Sequence, residues 1–189
     1  MPAGLRLVMC DVDCGSQTPG MVKQVLAWRE ANRGVADGIW NSLQEGNEAF
    51  ARELTRLAGE EGGQGKEGRY DALRGIIEGN RKLIREMGEL SGVPIEPVQQ
   101  TRLLDACSKV DGIIGGVVPG AGGYDAIVLL VEDRPEVLEG LRSVVGSWKE
   151  EGEGEGGVTI GKVGILGVRE DMVGARKEDV GIYRDWISK

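Results

Sequence analysis

The chain has 189 residues, a formal net charge of −8 and no histidine. This length fits one domain with a substantial core, and the acidic charge argues against nucleic acid as a partner, because affinity for a phosphate backbone comes from clustered Lys and Arg. The absence of histidine excludes Ser-His-Asp triads, Cys-His dyads and histidine-based zinc sites.

The cysteines and the N-terminus bear on the compartment. Cys10, Cys14 and Cys107 are an odd number of thiols at spacings that match no zinc framework, which indicates a reducing environment. The first residues show no signal-peptide pattern, and no apolar run in the sequence approaches the ~20 residues of a membrane span. We therefore expect a soluble, cytoplasmic protein.

The first half of the chain predicts one strand and four helices. The apolar run LRLVMCDV (5–12) predicts a buried strand. Thr18 followed by Pro19 is an N-terminal helix signal, because a hydroxyl can cap and proline is tolerated in the first turn. The spacing of apolar residues then predicts helices over 21–32, 35–58 and 70–92, and a helix of roughly a dozen residues within 93–110. The apolar face of the first helix is expected to comprise Met21, Val22, Val25, Leu26 and Trp28.

The second half predicts three more strands around one helix. Strands are predicted over 112–118, 126–132 and 161–168, with a helix over 135–150. The order β-α-α-α-α-β-β-α-β is typical of an α+β domain with helices against an antiparallel-leaning sheet, and it differs from a βαβαβ nucleotide fold. The Gly/Glu-rich stretches 59–68 and 149–157 are predicted to be flexible loops.

The segment CDVDCGSQT (10–18) allows several interpretations. Asp11 and Asp13 at the end of an apolar strand resemble the Asp-x-Asp of the haloacid dehalogenase-type phosphatases, although Gly15 stands where that pattern has Thr or Val. A polar loop that caps the following helix is the structural alternative. A third interpretation is an anion site, because Ser16 and Thr18 place two hydroxyls at a helix N-terminus, where free amides and the helix dipole favour a phosphorylated small molecule.

The loop PGAGGYD (119–125) is the second candidate site. Its glycines permit positive φ and close backbone approach, and successive amides can form a concavity that binds an anion. A nucleotide-binding glycine motif should lead from a strand into a helix, whereas this loop leads into another strand. A glycine-rich connection between strands is therefore the structural alternative.

A family resemblance is carried by this loop and its surroundings. VVPGAGGYDAIVLL resembles the C-terminal glycine loop of the GHMP small-molecule kinases, and Pro119 and Tyr124, which depart from the superfamily pattern, match the fungal phosphomevalonate kinases. The segments 15–29, 92–127 and 167–178 are similar to that family in order and spacing, so the resemblance covers nearly the whole chain. The loop positions that keep the superfamily pattern are Gly120, Ala121, Gly122, Gly123 and Asp125.

The resemblance implies a fold and a reaction. Residues 1–189 would form a GHMP kinase C-terminal domain, a ferredoxin-like layer of helices on a mostly antiparallel sheet, without the N-terminal ATP-binding domain. The implied activity is the ATP- and Mg²⁺-dependent phosphorylation of 5-phosphomevalonate to 5-diphosphomevalonate on the mevalonate route to isoprenoids and sterols. The catalytic residues would lie in the missing N-terminal half, which would be the partner of this chain, and the chain alone would be inactive. A non-catalytic α+β ligand-binding module and the phosphatase remain the alternatives.

The resemblance also implies roles for particular residues. Ser16 and Thr18 would lie near phosphomevalonate. The amides of Gly120, Ala121, Gly122 and Gly123 would support a nucleotide phosphate loop donated by the other half, and Asp125 would orient that loop or a water molecule. Arg176 and Lys177 would be phosphate partners, with ordinary surface charge pairs as their structural alternative.

Overall fold

The computed structural model describes residues 1–14, 18–60, 68–148, 161–168, 173 and 177–183. It has an α+β fold, and the order of strands and α-helices predicted from the sequence is confirmed. The elements are β1 (Leu5–Val12), α1 (Thr18–Ala31), α2 (Arg33–Ala58), α3 (Asp71–Ser91), α4 (Val98–Cys107), β2 (Ile113–Val117), β3 (Ala126–Glu132), α5 (Pro135–Gly146) and β4 (Val163–Ile165), followed by a 3₁₀ turn at Val180–Tyr183.

The four strands form one antiparallel sheet in the order β2-β3-β1-β4. The centre of the sheet is the long β1–β3 pair, whose register runs from Leu5 opposite Glu132 to Asp11 opposite Ala126. The antiparallel sheet predicted from the sequence is therefore confirmed. Because β1 and β3 run in opposite directions, the end of β1 and the beginning of β3 lie at the same end of the sheet.

Helices cover both faces of the sheet. Successive residues of a strand point to opposite faces, so Leu129 and Leu130 lie in different hydrophobic clusters. The first cluster joins one face of the sheet to α4 and α5, through side chains such as Leu104 and Leu141. The second joins the other face to α2 and α3, through residues such as Leu57. Burial of this apolar surface is the main contribution to the stability of the fold.

Only part of the predicted apolar face of α1 is buried. Met21 is buried, but Val22 and Leu26 are exposed. These two residues are four positions apart, so they share one face of the helix, and no described part of the chain covers that face. The helical spacing correctly predicted the helix, but it does not show which part of the apolar face is covered.

The last two elements are shorter than predicted. The helix α5 ends at Gly146 instead of 150, and β4 has only three residues. All three residues of β4 pair with β1, at Val12, Asp11 and Cys10. Most of the two Gly/Glu-rich loops, at 61–67 and 149–157, lies outside the described residues. None of the described helices combines the length and the apolar character needed to cross a bilayer.

Two of the three cysteines lie in the first hydrophobic cluster. Cys10 and Cys107 are completely buried, and burial raises the pKa of the Cys10 thiol from about 9 to about 11. Burial, with a smaller contribution from Cys10, raises the pKa of the Cys107 thiol to about 12. Both thiols are therefore expected to be protonated and unreactive in the folded chain at neutral pH.

This burial predicts a loss of stability at alkaline pH. A thiol pKa that is raised on folding stabilises the fold fully below the unfolded value, and the contribution is lost as the pH rises toward the folded value. The free energy of unfolding, measured in urea, is expected to fall between pH 9 and pH 11. It should fall less in a variant with alanine at both positions.

Thiol labelling of the native chain at pH 8 should spare Cys10 and Cys107, and labelling as fast as in urea would contradict their burial.

Candidate functional site

Three connections meet at one end of the sheet. The amide of Val12, at the end of β1, donates to the carbonyl of Asp125, just before β3, at 2.7 Å. The amide of Asp13 donates to the carbonyl of Lys162, just before β4, at 2.9 Å. The fold thus places the start of the segment after β1 beside Asp125, the last residue of the glycine loop. The two candidate sites, which the sequence suggested separately, are therefore neighbours at this point.

The glycine loop has the backbone conformation that its sequence predicts. Gly120, Gly122 and Gly123 have φ values of +67°, +85° and +108°, in the region that side chains other than glycine rarely adopt. At Gly122 a Cβ atom would lie 2.3 Å from the carbonyl oxygen of Ile95. The close backbone approach expected from the sequence is therefore found, and its partner is the segment of this same chain that precedes α4.

Hydrogen bonds use some of the loop amides and leave others available. The amide of Gly122 donates to the carbonyl of Pro119 at 3.2 Å, and the amide of Gly123 donates to the carbonyl of Ile95 at 2.9 Å. For the amides of Gly120 and Ala121, the described residues provide no acceptor. These two amides are the ones that an anion could use. The sequence predicted this role for all four amides from Gly120 to Gly123, and in the structure the other two already have acceptors.

A buried cluster of charged side chains is centred on Glu96, the residue that follows Ile95. The side chain of Glu96 is only 1% exposed, and its Oε1 accepts hydrogen bonds from Arg81 Nη2 at 2.7 Å, Arg85 Nη1 at 2.8 Å and Thr101 Oγ1 at 3.0 Å. Arg81 Nη1 also donates to Asp105 Oδ1 at 3.0 Å. The cluster ties α3 to the start of α4.

Arg81 is charged in this cluster. Burial lowers the pKa of the Arg81 guanidinium, but its hydrogen bonds and charge interactions with Glu96 and Asp105 outweigh that effect and raise the pKa above its usual value. Arg81 therefore keeps its charge. The sequence analysis did not single out this cluster, although Leu73, Ile77 and Arg81 follow one another at four-residue steps, a spacing that places the arginine on the buried face of α3.

The described charges at this end of the sheet are mostly negative. Asp11, Asp13 and Asp125 are exposed there, beside one exposed lysine, Lys162, and carboxylates disfavour a phosphate in their neighbourhood. A phosphate bound here would need more positive charge than this lysine provides. Of the predicted phosphate partners, Lys177 is exposed and Arg176 lies outside the described residues.

The remaining predicted site residues lie at or beyond the border of the described part. Ser16 lies outside the described residues, and Thr18 is the first residue of α1. Their proposed contact with phosphomevalonate stays a prediction. Within the ranges that the structure describes, no group of three or more Cys, Asp or Glu residues is arranged to hold a metal ion.

An apolar groove of about 250 Å³ lies between the helices α2 and α3 and one face of the sheet, and it reaches the end of β2. Its floor includes Leu7, which is 44% exposed, and Val117, the last residue of β2 before the loop. Phe50 and Ile77 form part of its helical wall. The groove exists because α2 and α3 cover only part of this face of the sheet.

Comparison with solved structures places the fold in a class. No protein-family profile matches the chain. The structure is similar to the Lin0012 protein from Listeria innocua, with a TM-score of 0.63 and 18% identity over 89% of this chain and 42% of that one. It is also similar to the L. major mevalonate kinase solved with R-mevalonate, with a TM-score of 0.53 and 11% identity over 75% of this chain and 39% of that one. The chain therefore shares its fold with these two proteins, one of which is a kinase of a small molecule.

Comparison with curated proteins gives the family. The chain is 46% identical to the phosphomevalonate kinase of Aspergillus fumigatus and 43% identical to that of Gibberella zeae, in each case over 187 residues, or 99% of this chain. The chain is homologous to these phosphomevalonate kinases, and the resemblance to the fungal members is confirmed. The chain spans 38% of the length of each of these two relatives.

The phosphatase hypothesis finds no support. Asp11 pairs with Ala126 and Gly164 inside an antiparallel sheet, and Asp13 is exposed directly after the end of β1. The relatives are phosphomevalonate kinases, and neither the fold nor the comparisons favour the ligand-binding module.

Proposed function

We propose that the chain forms the C-terminal half of a fungal-type phosphomevalonate kinase, which transfers the γ-phosphoryl group of ATP to 5-phosphomevalonate. The observation that carries this proposal is the 46% identity to a phosphomevalonate kinase along 99% of the chain. The fold supports it, because the glycine loop and the end of β1 lie side by side at one end of the sheet. The product would be 5-diphosphomevalonate, a precursor of isoprenoids and sterols.

Each candidate residue has a role in this proposal. The amides of Gly120 and Ala121 face the nucleotide phosphates or the loop that binds them, while Gly122 and Gly123 fix the shape of the turn. Asp125 orients that phosphate loop or a water molecule. The segment that contains Ser16 and Thr18 lies on the phosphomevalonate side, where Arg176 and Lys177 supply positive charge against the carboxylates of the sheet end.

ATP and Mg²⁺ complete the proposed site. Backbone amides with no partner in the described residues are the donors that a phosphate oxygen accepts, so the glycine loop fits a role beside the nucleotide. ATP supplies the phosphoryl group and Mg²⁺ neutralises the charge that develops on it. The residues of this chain contribute position and amide dipoles, and the groups that activate the acceptor phosphate belong to the other half of the enzyme.

The other half is also the proposed partner. The chain spans 38% of the length of its fungal relatives, and it exposes an apolar groove whose lining includes Val117, two residues before the glycine loop. Exposed apolar surface that is rimmed by polar groups is typical of an interaction surface. We propose that the polypeptide corresponding to the remaining three fifths of the relatives covers this groove and closes the cleft over the glycine loop.

Reconstitution tests the function. The purified chain is expected to release no ADP from ATP in a 5-phosphomevalonate-dependent way. Co-expression with the part of the Aspergillus fumigatus kinase that the chain does not match is expected to give a complex with that activity. Activity of the chain alone would refute the assignment of the catalytic groups to the other half, and a soluble but inactive complex would contradict the proposed reaction.

A matched pair of variants tests the groove. Leu7→Asp places a charge in the groove, and Leu90→Asp makes the same change at a residue of similar exposure, 44% against 47%, at the end of α3. The first is expected to reduce association with the complementary polypeptide at least tenfold, and the second to leave it unchanged. Equal association of the two variants would show that the partner binds elsewhere.

A further inference from the structure

We propose that Gln100 is a positioning residue that sets the shape of the glycine loop and thereby the direction of its two available amides. The inference rests on the proposed function for its catalytic consequence, but the contacts stand on their own. Gln100 lies in the first turn of α4 and is completely buried. Its side-chain Nε2 donates to the backbone carbonyl of Tyr124 at 2.6 Å.

The bond to Tyr124 completes a series of restraints on four consecutive residues. Gly122 is packed against the backbone of Ile95, and the amide of Gly123 donates to the carbonyl of Ile95 at 2.9 Å. Tyr124 accepts from Gln100, and Asp125 accepts from the amide of Val12 at 2.7 Å. The second half of the loop is therefore held at every residue. Gly120 and Ala121, in the first half, are the ones whose amides remain available.

The restraints come from a rigid support. Ile95 and Gln100 flank the start of α4, and Glu96 between them is bound by Arg81, Arg85 and Thr101. Hydrogen bonds between charged groups are stronger than neutral ones, so the bonds of Arg81 and Arg85 to Glu96 hold the segment 95–100 against α3. The segment 95–100 therefore connects the loop to α3: Glu96 is bonded to α3, and Ile95 and Gln100 contact the loop.

The chemistry of Gln100 argues for a specific role. A buried amide is unfavourable unless its polar atoms are paired, and the Oε1 atom of Gln100 has no hydrogen-bond partner among the described residues. For packing alone, methionine would fill nearly the same volume without an unpaired oxygen. The gain from glutamine at this position is the bond to Tyr124, which an apolar side chain cannot make.

Hydrogen exchange of the 189-residue chain tests the proposal without any assumption about activity. In Gln100→Met the hydrogen-bonded amides of Gly122 and Gly123 are expected to exchange at least tenfold faster, relative to the amides of Leu129 and Val131 in β3. Val145→Ala, a core truncation on α5, is the control because it lowers global stability without touching the loop. It should accelerate the strand amides at least as much as the loop amides. The same outcome in Gln100→Met would refute the positioning role.

A second variant and a kinetic measurement sharpen the result. Gln100→Asn keeps the amide group but shortens the side chain by one methylene, so it should also lose the bond to Tyr124 and loosen the loop. It replaces Gln100→Met in the experiment if that variant does not fold. In the reconstituted enzyme, Gln100→Met is expected to raise KM for ATP more than tenfold while KM for 5-phosphomevalonate changes less than twofold. Equal changes in both constants would contradict the role. If reconstitution yields no activity, the proposed function fails, and hydrogen exchange alone decides on Gln100.

Discussion

Replacing Gly122 with alanine is expected to destabilise the folded chain by about 3 kcal/mol, because strain and collision act together at this position. Its φ of +85° is unfavourable for any residue with a Cβ. The new methyl group would lie 2.3 Å from the carbonyl oxygen and 2.6 Å from the Cα of Ile95. Both of those atoms belong to backbone that the Glu96 cluster holds in place, so the loop would have to move away.

Gly120 provides the matched control within the same loop. Its φ of +67° carries a similar conformational strain, but a Cβ there would meet no atom within 4 Å. Gly120→Ala is therefore expected to cost about 1 kcal/mol, from strain alone. Urea unfolding of the two variants measures the difference. Equal losses would show that the loop does not rest on Ile95, and the reconstituted enzyme should lose more activity with Gly122→Ala than with Gly120→Ala.

These two glycines show what a sequence can and cannot predict about such a loop. The composition of PGAGGYD predicts positive φ and close backbone approach, because only glycine tolerates both. It does not predict the atom that is approached, since Ile95 lies on the far side of α4 and β2 in the chain. Local sequence fixes the conformation of the loop, whereas its partner depends on how the helices pack against the sheet.

The order of the elements was predictable for a related reason. The apolar run of β1 and the helical spacing of α2 and α3 report burial directly, and burial is what selects the fold. Val22 and Leu26 on α1 show the limit of that signal. An apolar spacing identifies the face of a helix that avoids water, but it does not show which surface covers that face. In a chain that spans 38% of its fungal relatives, the cover can come from polypeptide outside the chain.

The ion cluster was missed because charged residues are read as surface residues by default. Glu96 stands between Ile95 and Pro97 at the start of a helix, and Arg81 continues the apolar spacing of Leu73 and Ile77. Either feature alone is weak evidence of a buried charge. Together the two features would have suggested a buried ion pair. They were not combined, because Arg81 and Glu96 are 15 residues apart and belong to different elements. The roles of Ser16, Thr18, Arg176 and Lys177 stay predictions.

Glu96→Gln is expected to destabilise the chain by about 3 kcal/mol, because it removes a charge from a buried pair without changing its volume. After this change the Arg81 guanidinium is still buried. Among the described residues, Asp105 is then the one carboxylate that contacts it. That carboxylate is 58% exposed, so water screens much of its interaction with the guanidinium. The glutamine amide would also turn a donor toward the nitrogen atoms of Arg81 or Arg85.

The surface pair of Glu30 and Arg33 is the control. Arg33 Nη2 lies 2.5 Å from Glu30 Oε2, but the two side chains are 65% exposed at Arg33 and 72% exposed at Glu30, and pairs in water contribute little. Glu30→Gln is therefore expected to leave the urea midpoint almost unchanged. A comparable loss in the two variants would show that burial adds nothing to the Glu96 pair.

A double variant separates the charge from the packing. If the cost of Glu96→Gln comes from the isolated cation, replacing Arg81 and Glu96 together with methionine and leucine should recover part of the stability, since apolar groups of similar volume often replace a buried pair at no loss. The loop should nevertheless exchange faster in the double variant, because Arg85 and Thr101 would no longer bind the segment before α4. Recovery of stability together with unchanged loop protection would mean that packing alone holds the glycine loop, and the cluster would then have no part in shaping the candidate site.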